Sequence, residues 1–269
     1  MKKLLVFLLV FTLFGCNKEV ENKIDENKEV VVNFVDENLK DLIKQELNIE
    51  KEDITSFDMK ELYSLSISNA EIKNLTGLEY AINLDSLTIM RQNIKSLEPI
   101  KDLKKITYFT FSYSTIEELP INLSSNFERL SIIDTQIDDV SFLKDINTLK
   151  NLTLTDCNIS EIDFKNLNNL ESLYLRENSI SDISSLKGKN KLEELNLQDN
   201  EVLDISPLEG LEKLSYIVLS YNPVTNLKPL ESLKNLKELV IYQNHDVKHL
   251  IFDQVDKLIE MGVDVSYHR

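Results

Sequence analysis

The chain repeats one apolar pattern about every 22 residues over most of its length. Segments starting at Leu170, Leu192 and Leu214 share leucines or isoleucines at the first, fourth, sixth, eleventh, fourteenth and seventeenth places, with few exceptions. The same pattern opens at six further positions, and successive starts are 21 or 22 residues apart. These further starts are Leu62, Leu84, Ile106, Phe127, Leu149 and Leu236. A unit this short cannot bury its apolar side chains alone, so the nine units must stack on one another.

The spacing within one unit predicts a short strand followed by a return segment. Side chains at the fourth and sixth places, such as Leu173 and Leu175, point to the same side of a strand and fill an interior column. Side chains at the third, fifth and seventh places point to the opposite side, toward solvent. A unit of this length has no room for a long helix on its return path, so we expect 3₁₀ turns or extended segments there.

The L-x-x-L-x-L-x-x-N-x-I spacing resembles the leucine-rich repeat, whose period runs from 20 to 29 residues. The resemblance implies an α/β repeat solenoid over residues 62–246, a horseshoe of about nine coils of 21–22 residues with a parallel β-sheet on its concave face. In that family, a buried Asn or Cys at the ninth place hydrogen-bonds turning backbone that no water can reach. The structural ladder implied here consists of Cys157, Asn178, Asn200, Asn222 and Asn244.

Both ends of such a stack expose apolar surface unless a cap covers them. At the N-terminal end, Leu39 and Ile43 lie on the apolar face of a predicted helix, and Thr55 is a candidate N-cap for the turn that follows. The order of an F-x-D-x-N-L helix, a D-I-T turn and the first coil resembles the cap of internalin-like bacterial repeats and covers residues 30–61. An amphipathic helix and a closing strand predict a C-terminal cap over residues 247–269.

The first residues differ in character from the repeats. Two lysines precede an eleven-residue run that is almost wholly apolar and would be about 16 Å long as a helix, too short for a hydrocarbon core of ~30 Å. This pattern indicates an export signal over residues 1–15. The LFGC sequence that ends at Cys16 resembles a bacterial lipobox, which implies lipidation of this cysteine; an ordinary signal peptide is the alternative. Residues 16–29 are highly charged, and we expect a flexible tether there.

Composition and charge exclude several classes of function. With 30 basic and 46 acidic residues, the chain has a net charge of −16 and would repel nucleic acids and anionic headgroups. We therefore expect no nucleic-acid partner, and contact with a membrane only through the lipid anchor. The five glycines form no phosphate-binding loop, no nucleophilic serine motif occurs, and the His245–His249 pair lacks a third ligand. We expect no enzymatic activity, cofactor, metal or small-molecule substrate.

The outward-facing places of the predicted sheet hold the candidate partner-binding residues. Nine strands spaced at ~4.8 Å make a sheet roughly 40 Å long, which suits a protein or glycan chain better than a metabolite. Tyr and Arg dominate the energetics of protein interfaces, although exposed tyrosines are also ordinary strand formers. The candidates on the concave face and the adjoining eighth places are Tyr108, Tyr113, Tyr174, Arg176, Tyr216, Val218, Tyr221, Val240 and Tyr242.

A row of carboxylates adjoins these candidates. The eighth places of four consecutive units are Asp134, Asp156, Glu177 and Asp199, which we expect to form an acidic edge of the concave face. Such an edge favours a partner with a basic strip.

These features predict a lipid-anchored protein of the bacterial envelope that binds a protein partner, a host surface protein being one candidate, on its concave face. A scaffold or glycan-binding module of the envelope is the first alternative, and a regulator of a partner enzyme is the second. Display on the cell surface or outer membrane and exposure to the periplasm are both consistent with the leader sequence.

Overall fold

The structure is a computed structural model that describes residues 25–68, 70–118, 126–137, 139–242 and 251–267. The predicted signal peptide, Cys16, Asn244 and the His245–His249 pair lie outside the described residues. Within these ranges, no helix combines the length and the apolar character needed to cross a membrane.

The described residues form a long parallel sheet and a small second one. The strands are β1 (Ser64–Ile67), β2 (Ser86–Met90), β3 (Asn93–Ser96), β4 (Tyr108–Ser112), β5 (Thr115–Glu118), β6 (Arg129–Ile133), β7 (Asn151–Thr155), β8 (Ser172–Tyr174), β9 (Glu194–Asn196), β10 (Tyr216–Val218), β11 (Glu238–Ile241) and β12 (Asp264–Tyr267). All except β3 and β5 belong to one sheet, in chain order. We call its solvent-facing side the concave face. The predicted solenoid with a parallel sheet is confirmed.

The return side of the stack contains short 3₁₀ segments and the two-stranded β3–β5 sheet, as the repeat length predicts. None of the described 3₁₀ segments exceeds five residues, because each coil has only 21 or 22 residues for its strand, two turns and return path. They span Leu78–Tyr80, Glu98–Ile100, Ser141–Asp145, Ser184–Leu186, Ser206–Leu208 and Lys228–Ser232.

The interior is one continuous column of aliphatic side chains. Leu173, Leu195 and Ile217 are in register on adjacent strands, and all three are fully buried. Burying one such side chain contributes about 1.5–3 kcal/mol to folding. In the N-terminal half, phenylalanines replace some of the aliphatic residues, and the rings of Phe109 and Phe127 stack with centroids 5.7 Å apart. The register of Leu173, Leu195 and Ile217 shows that equal places of successive repeats pack directly on one another.

Two helices close the N-terminal end of the column. Helix α1 (Glu37–Leu47) begins at Asp36, whose carboxylate accepts hydrogen bonds from the first turn and from the backbone N–H of Lys73, at 2.8 Å, on the first coil. Helix α2 (Ser56–Met59) begins at Thr55, which forms a capping box with Asp58. The predicted N-cap at Thr55 is therefore confirmed. Asp36 caps a helix and also fixes that helix to the repeats.

The segment that precedes α1 is partly docked on this cap. The Ser56 hydroxyl donates to the carbonyl of Lys28 at 3.2 Å, and the Lys60 ammonium donates to the carbonyl of Glu26 at 2.5 Å. The sequence predicts a flexible tether throughout residues 16–29, whereas Glu26 and Lys28 have these partners on the cap. The charged side chains of this segment predict a solvated chain, but these two backbone carbonyls accept hydrogen bonds from α2 and from the residue that follows it.

Helix α3 (Phe252–Glu260) and strand β12 cover the C-terminal end. Val255 and Leu258 are fully buried on the helix, and β12 adds a tenth strand parallel to β11. The apolar face of the helix thus replaces the coil that would otherwise follow.

Leu195 offers a direct test of the shared column. We expect Leu195→Ala to lower the free energy of unfolding by about 3 kcal/mol, because rigid neighbours on both sides leave a cavity. Urea denaturation followed by circular dichroism measures the change. Glu209→Gln, at an exposed position of the same coil, is the control and should change the value by less than ~0.5 kcal/mol. Equal stability of the two variants would contradict the shared column.

Candidate functional site

A left-handed residue follows the strand in seven consecutive repeats. The φ angles at these eighth places lie between 48° and 58°, at Arg91, Tyr113, Asp134, Asp156, Glu177, Asp199 and Tyr221. Their backbone N–H groups donate to the next coil, as from Asp156 to Arg176 at 3.0 Å and from Tyr221 to Tyr242 at 2.8 Å. The turn directs the chain from the sheet to the return side and aligns the eighth-place side chains along one edge of the concave face.

The predicted acidic residues occupy the centre of this row. Asp134 and Asp156 are exposed, while Glu177 and Asp199 are half-buried. Glu177 forms an ion pair with Arg176, and Asp199 accepts a hydrogen bond from the Gln198 amide at 2.9 Å. The structure thus brings the four carboxylates into one row, and Arg176 is its one ion-pair partner within the described residues.

The ninth-place amides connect each coil to the one before it. The Asn200 side-chain NH₂ donates to the carbonyls of Leu175, at 2.8 Å, and Leu197, at 3.1 Å, and its oxygen accepts from the N–H of Ile180 at 2.9 Å. Asn178 and Asn222 make the equivalent contacts one coil earlier and one coil later. These amides satisfy turning backbone inside an apolar column, where an unpaired group would cost about 1–3 kcal/mol.

Cys157 occupies the same ninth place and is fully buried. Its thiol lies 3.4 Å from the carbonyl oxygen of Ile132 on the preceding coil and 3.3 Å from that of Thr155 on its own. Burial raises the pKa of the thiol to about 12, and the negative charges of Asp156 and Asp134 act in the same direction. The side chain therefore serves as a weak hydrogen-bond donor of the interior and not as a nucleophile.

The C-terminal half of the concave face carries a tyrosine pair flanked by glutamates. The Tyr174 hydroxyl donates to the Glu194 carboxylate, and burial together with this hydrogen bond raises the pKa of Tyr174 to about 12. In the strand register, Tyr216 lies between Glu194 and Glu238. Burial, followed by the charges of Glu238 and Glu194, also raises the pKa of Tyr216. Both rings are half-buried, so each is positioned by the sheet and still accessible.

The N-terminal half pairs its tyrosines with arginines instead. The Arg129 guanidinium lies 5.5 Å from the centroid of the Tyr108 ring, and the Arg91 guanidinium lies 5.9 Å from that of Tyr113. Both distances are within the range of a cation–π contact. Tyr108 and Tyr113 are exposed, so these two pairs stand out from a surface that otherwise consists mainly of serine and threonine.

The prediction that Val218 is an exposed contact residue is wrong. Val218 faces the concave side by its place in the repeat, but only 3% of its surface is exposed. It lies in register between Asn196 and Val240 on the two adjacent strands. Strand alternation indicates the face on which a side chain lies but not how much of it the neighbouring coils cover. Of the other candidates, Val240 and Tyr242 are half-buried, and Tyr221 and Arg176 are exposed.

The candidates taken from the sequence did not include Glu194, Glu238, Arg91 or Arg129. Glu194 and Glu238 occupy the third place of their repeats, as Tyr216 does, and the sequence therefore held the signal that they share its row. Their significance depends on strand register, which pairs residues 22 positions apart.

Comparisons with known proteins agree with this architecture. The family described as Leucine Rich repeats (2 copies) matches residues 168–210 and 190–232. No curated protein sequence is significantly similar to the chain. Among solved structures, the internalin InlF of Listeria monocytogenes has a TM-score of 0.73 at 25% identity, over 78% of this chain and 64% of that one. Internalin C2 of the same species has a TM-score of 0.70 at 29% identity, over 77% of this chain and 94% of that one.

A more distant structure shares the fold alone. The repeat domain of FLRT2, solved in an octameric complex with latrophilin 3 and Unc5D, has a TM-score of 0.66 at 18% identity, over 78% of this chain and 70% of that one. The fold is thus a leucine-rich-repeat solenoid of internalin-like form. The chain spans slightly less than two thirds of the length of internalin InlF.

The buried thiol of Cys157 generates a prediction in two parts. In a Cys16→Ser variant it is the one remaining thiol, and we expect a native-state reaction with a disulfide reagent at least a hundredfold slower than in urea. Burial in the folded protein raises the pKa of the Cys157 thiol from 9.0 to about 12. Between these two pH values, only the unfolded chain loses the thiol proton. The thiol's contribution to stability is complete below about pH 9 and is lost as pH rises toward 12.

Urea denaturation of the Cys16→Ser variant with and without Cys157→Ala, at about pH 8 and about pH 11, measures this contribution. The stability difference between the two proteins should shrink at the higher pH, and the pairing cancels the titration of tyrosines and lysines. Rapid modification of the native protein, or a difference that grows with pH, would contradict the assignment.

Proposed function

We propose that the protein is a non-enzymatic interaction module that binds a protein partner on its concave face. The observation that carries this proposal is the presence of Tyr174, Tyr216 and Tyr221 on two of the C-terminal repeats, those that start at Leu170 and Leu214. All three rings are at least partly accessible. Tyr174 and Tyr216 lie on strands of the parallel sheet, and Tyr221 lies in the turn that follows β10. We call these three residues the tyrosine patch.

The tyrosine patch has the properties of an interface anchor. Tyrosine supplies a large amphipathic contact surface at low conformational cost, because only two side-chain torsions have to be fixed. Here Glu194 already restrains Tyr174 through a hydrogen bond, and the backbone of Tyr221 is fixed in the turn by its hydrogen bond to the next coil. A partner therefore loses little of its binding energy to ordering this surface.

The similar structures support a protein partner over a small ligand. The FLRT2 repeat domain occurs in a complex with two other proteins, latrophilin 3 and Unc5D. The concave face of the present chain is an extended surface of ten strands, which matches the scale of a protein interface better than that of a metabolite site.

We further propose that Cys16 anchors the protein to the bacterial envelope through lipid. The support is the LFGC sequence after a short apolar run, with a charged segment between this cysteine and the docked Glu26 and Lys28. The anchor would hold the repeats close to the membrane surface, and a partner would reach the concave face from the aqueous side.

Removal of the tyrosine rings tests the binding surface. We expect the double variant Tyr216→Ala, Tyr221→Ala to capture at least tenfold less partner than the parent protein, because buried tyrosines rank among interface hot spots. Quantitative mass spectrometry of proteins retained from envelope extracts and from host-cell surface extracts measures the loss.

Leu203→Ala is the matched control, since Leu203 is 58% exposed outside the strands of the same array. It should leave capture unchanged. Neither set of changes touches the interior column, so the unfolding midpoint should stay nearly constant. Undiminished capture by the tyrosine variant would rule out the patch as the main contact.

The second cysteine serves as the control for the anchor. We expect Cys16→Ser to abolish incorporation of radiolabelled palmitate and to move the protein from the membrane fraction to the soluble fraction, because each buried CH₂ contributes ~0.8 kcal/mol to anchoring. Cys157→Ala should retain both the label and the membrane location. A Cys16→Ser protein that still incorporates palmitate would refute lipidation at this residue.

A further inference from the structure

The concave face divides into two halves of different charge. At the third, fifth and seventh places of the first five repeats, Arg129 is the one charged residue. The later strands place Glu194, Glu238 and Asp264 on the same face. Their one cation at these places, Arg176, already pairs with Glu177. The C-terminal half therefore presents negative charge around the tyrosine patch.

The glutamates lie on both sides of one ring. The register aligns Glu194, Tyr216, Glu238 and Asp264 across four adjacent strands. Neighbouring strands are ~4.8 Å apart, so a group above the Tyr216 ring lies close to both glutamates. Glu194 is half-buried, and Glu238 and Asp264 are exposed. Neither glutamate forms an ion pair in the described part of the chain, so both charges are available to a partner.

Besides burial, the negative charge of the two glutamates contributes to the raised pKa of Tyr216. Burial is the largest cause of the raised pKa of Tyr216, and the charges of Glu238 and Glu194 add to it. A potential that disfavours a phenolate anion favours a cation at the same place. The face of a tyrosine ring attracts cations as well, so the ring and both carboxylates act in the same direction.

We propose that Tyr216, Glu194 and Glu238 form a cradle for an arginine side chain of the protein partner. This inference rests on the proposed function and specifies the chemistry of the partner: an extended segment with exposed arginine. A planar guanidinium stacks on an aromatic ring and donates hydrogen bonds to carboxylates at its edges, which a compact ammonium does less well. The Tyr174 hydroxyl occupies one acceptor site of Glu194 and holds that carboxylate in position.

The arrangement suits a side-chain cation better than a metal ion. Strand β10, which carries Tyr216, lies between the strands of Glu194 and Glu238. The two carboxylates therefore do not converge on one point as metal ligands do. Throughout the described ranges, no three His, Cys, Asp or Glu side chains group around a common centre. The acidic edge contributes at longer range, since its charges raise the rate at which a basic segment reaches this half of the face.

A defined peptide tests the cradle without knowledge of the partner. The probe is a fluorescent, terminally blocked peptide of alternating arginine and serine, and its control has glutamine in place of arginine. Fluorescence anisotropy with the purified protein at low salt should show binding of the arginine peptide only. Glu194→Gln with Glu238→Gln should weaken this binding at least tenfold, and Tyr216→Leu should weaken it where Tyr216→Phe does not.

The matched control removes the same charge elsewhere in the same array. Glu201→Gln with Glu209→Gln changes two exposed residues outside the strands and should alter the dissociation constant by less than twofold. Equal weakening by the two double variants would mean general attraction to a chain of net charge −16 and would overturn the cradle. Equal binding of the arginine and glutamine peptides would also overturn it, whereas the capture experiment with Tyr216 and Tyr221 decides the proposed function independently.

Discussion

The stability of every coil depends on the coil beside it, because the leucines that face inward have no partner within their own repeat. Leu195 is buried by its register neighbours Leu173 and Ile217, which belong to different coils. Hydrophobic stabilisation is therefore a property of the contact between repeats, as in a one-dimensional stack. The same requirement explains the caps, since α1 and α3 cover the two places where a neighbouring coil is missing.

Dense stacking buries backbone N–H and C=O groups, and polar side chains of the repeat form hydrogen bonds with them. Each coil has to turn sharply where no water is present, and its peptide groups need partners. Asn178, Asn200 and Asn222 supply them from the ninth place, and Cys157 supplies a weaker donor. The left-handed residue at the eighth place makes the turn and continues the hydrogen-bond ladder. Interior chemistry of this kind is structural, which leaves the sheet surface as the place for recognition.

The regular scaffold converts sequence differences between repeats into a surface pattern at fixed spacing. Successive third places bring Glu194, Tyr216 and Glu238 side by side, and the fifth-place Tyr174 reaches Glu194 from the preceding coil. Arginine–tyrosine pairs and hydroxyl groups occupy the other half of the face. The solenoid positions this uneven charge on a surface that needs little reorganisation on binding, which favours recognition of an extended, charged partner.

The sequence by itself determined the period, the strand positions, the inward leucines and the caps, because each follows from local spacing of apolar and capping residues. Leu173, Leu195 and Thr55 were predictable in this way. Tertiary structure decided which side chains meet across coils and how much of each stays exposed. Val218 is buried although the fifth place of the repeat predicts exposure. The Tyr174 hydroxyl donates a hydrogen bond to Glu194, which lies 20 residues later in the chain. These outcomes depend on register and on the volumes of neighbouring side chains, which a one-dimensional pattern does not encode.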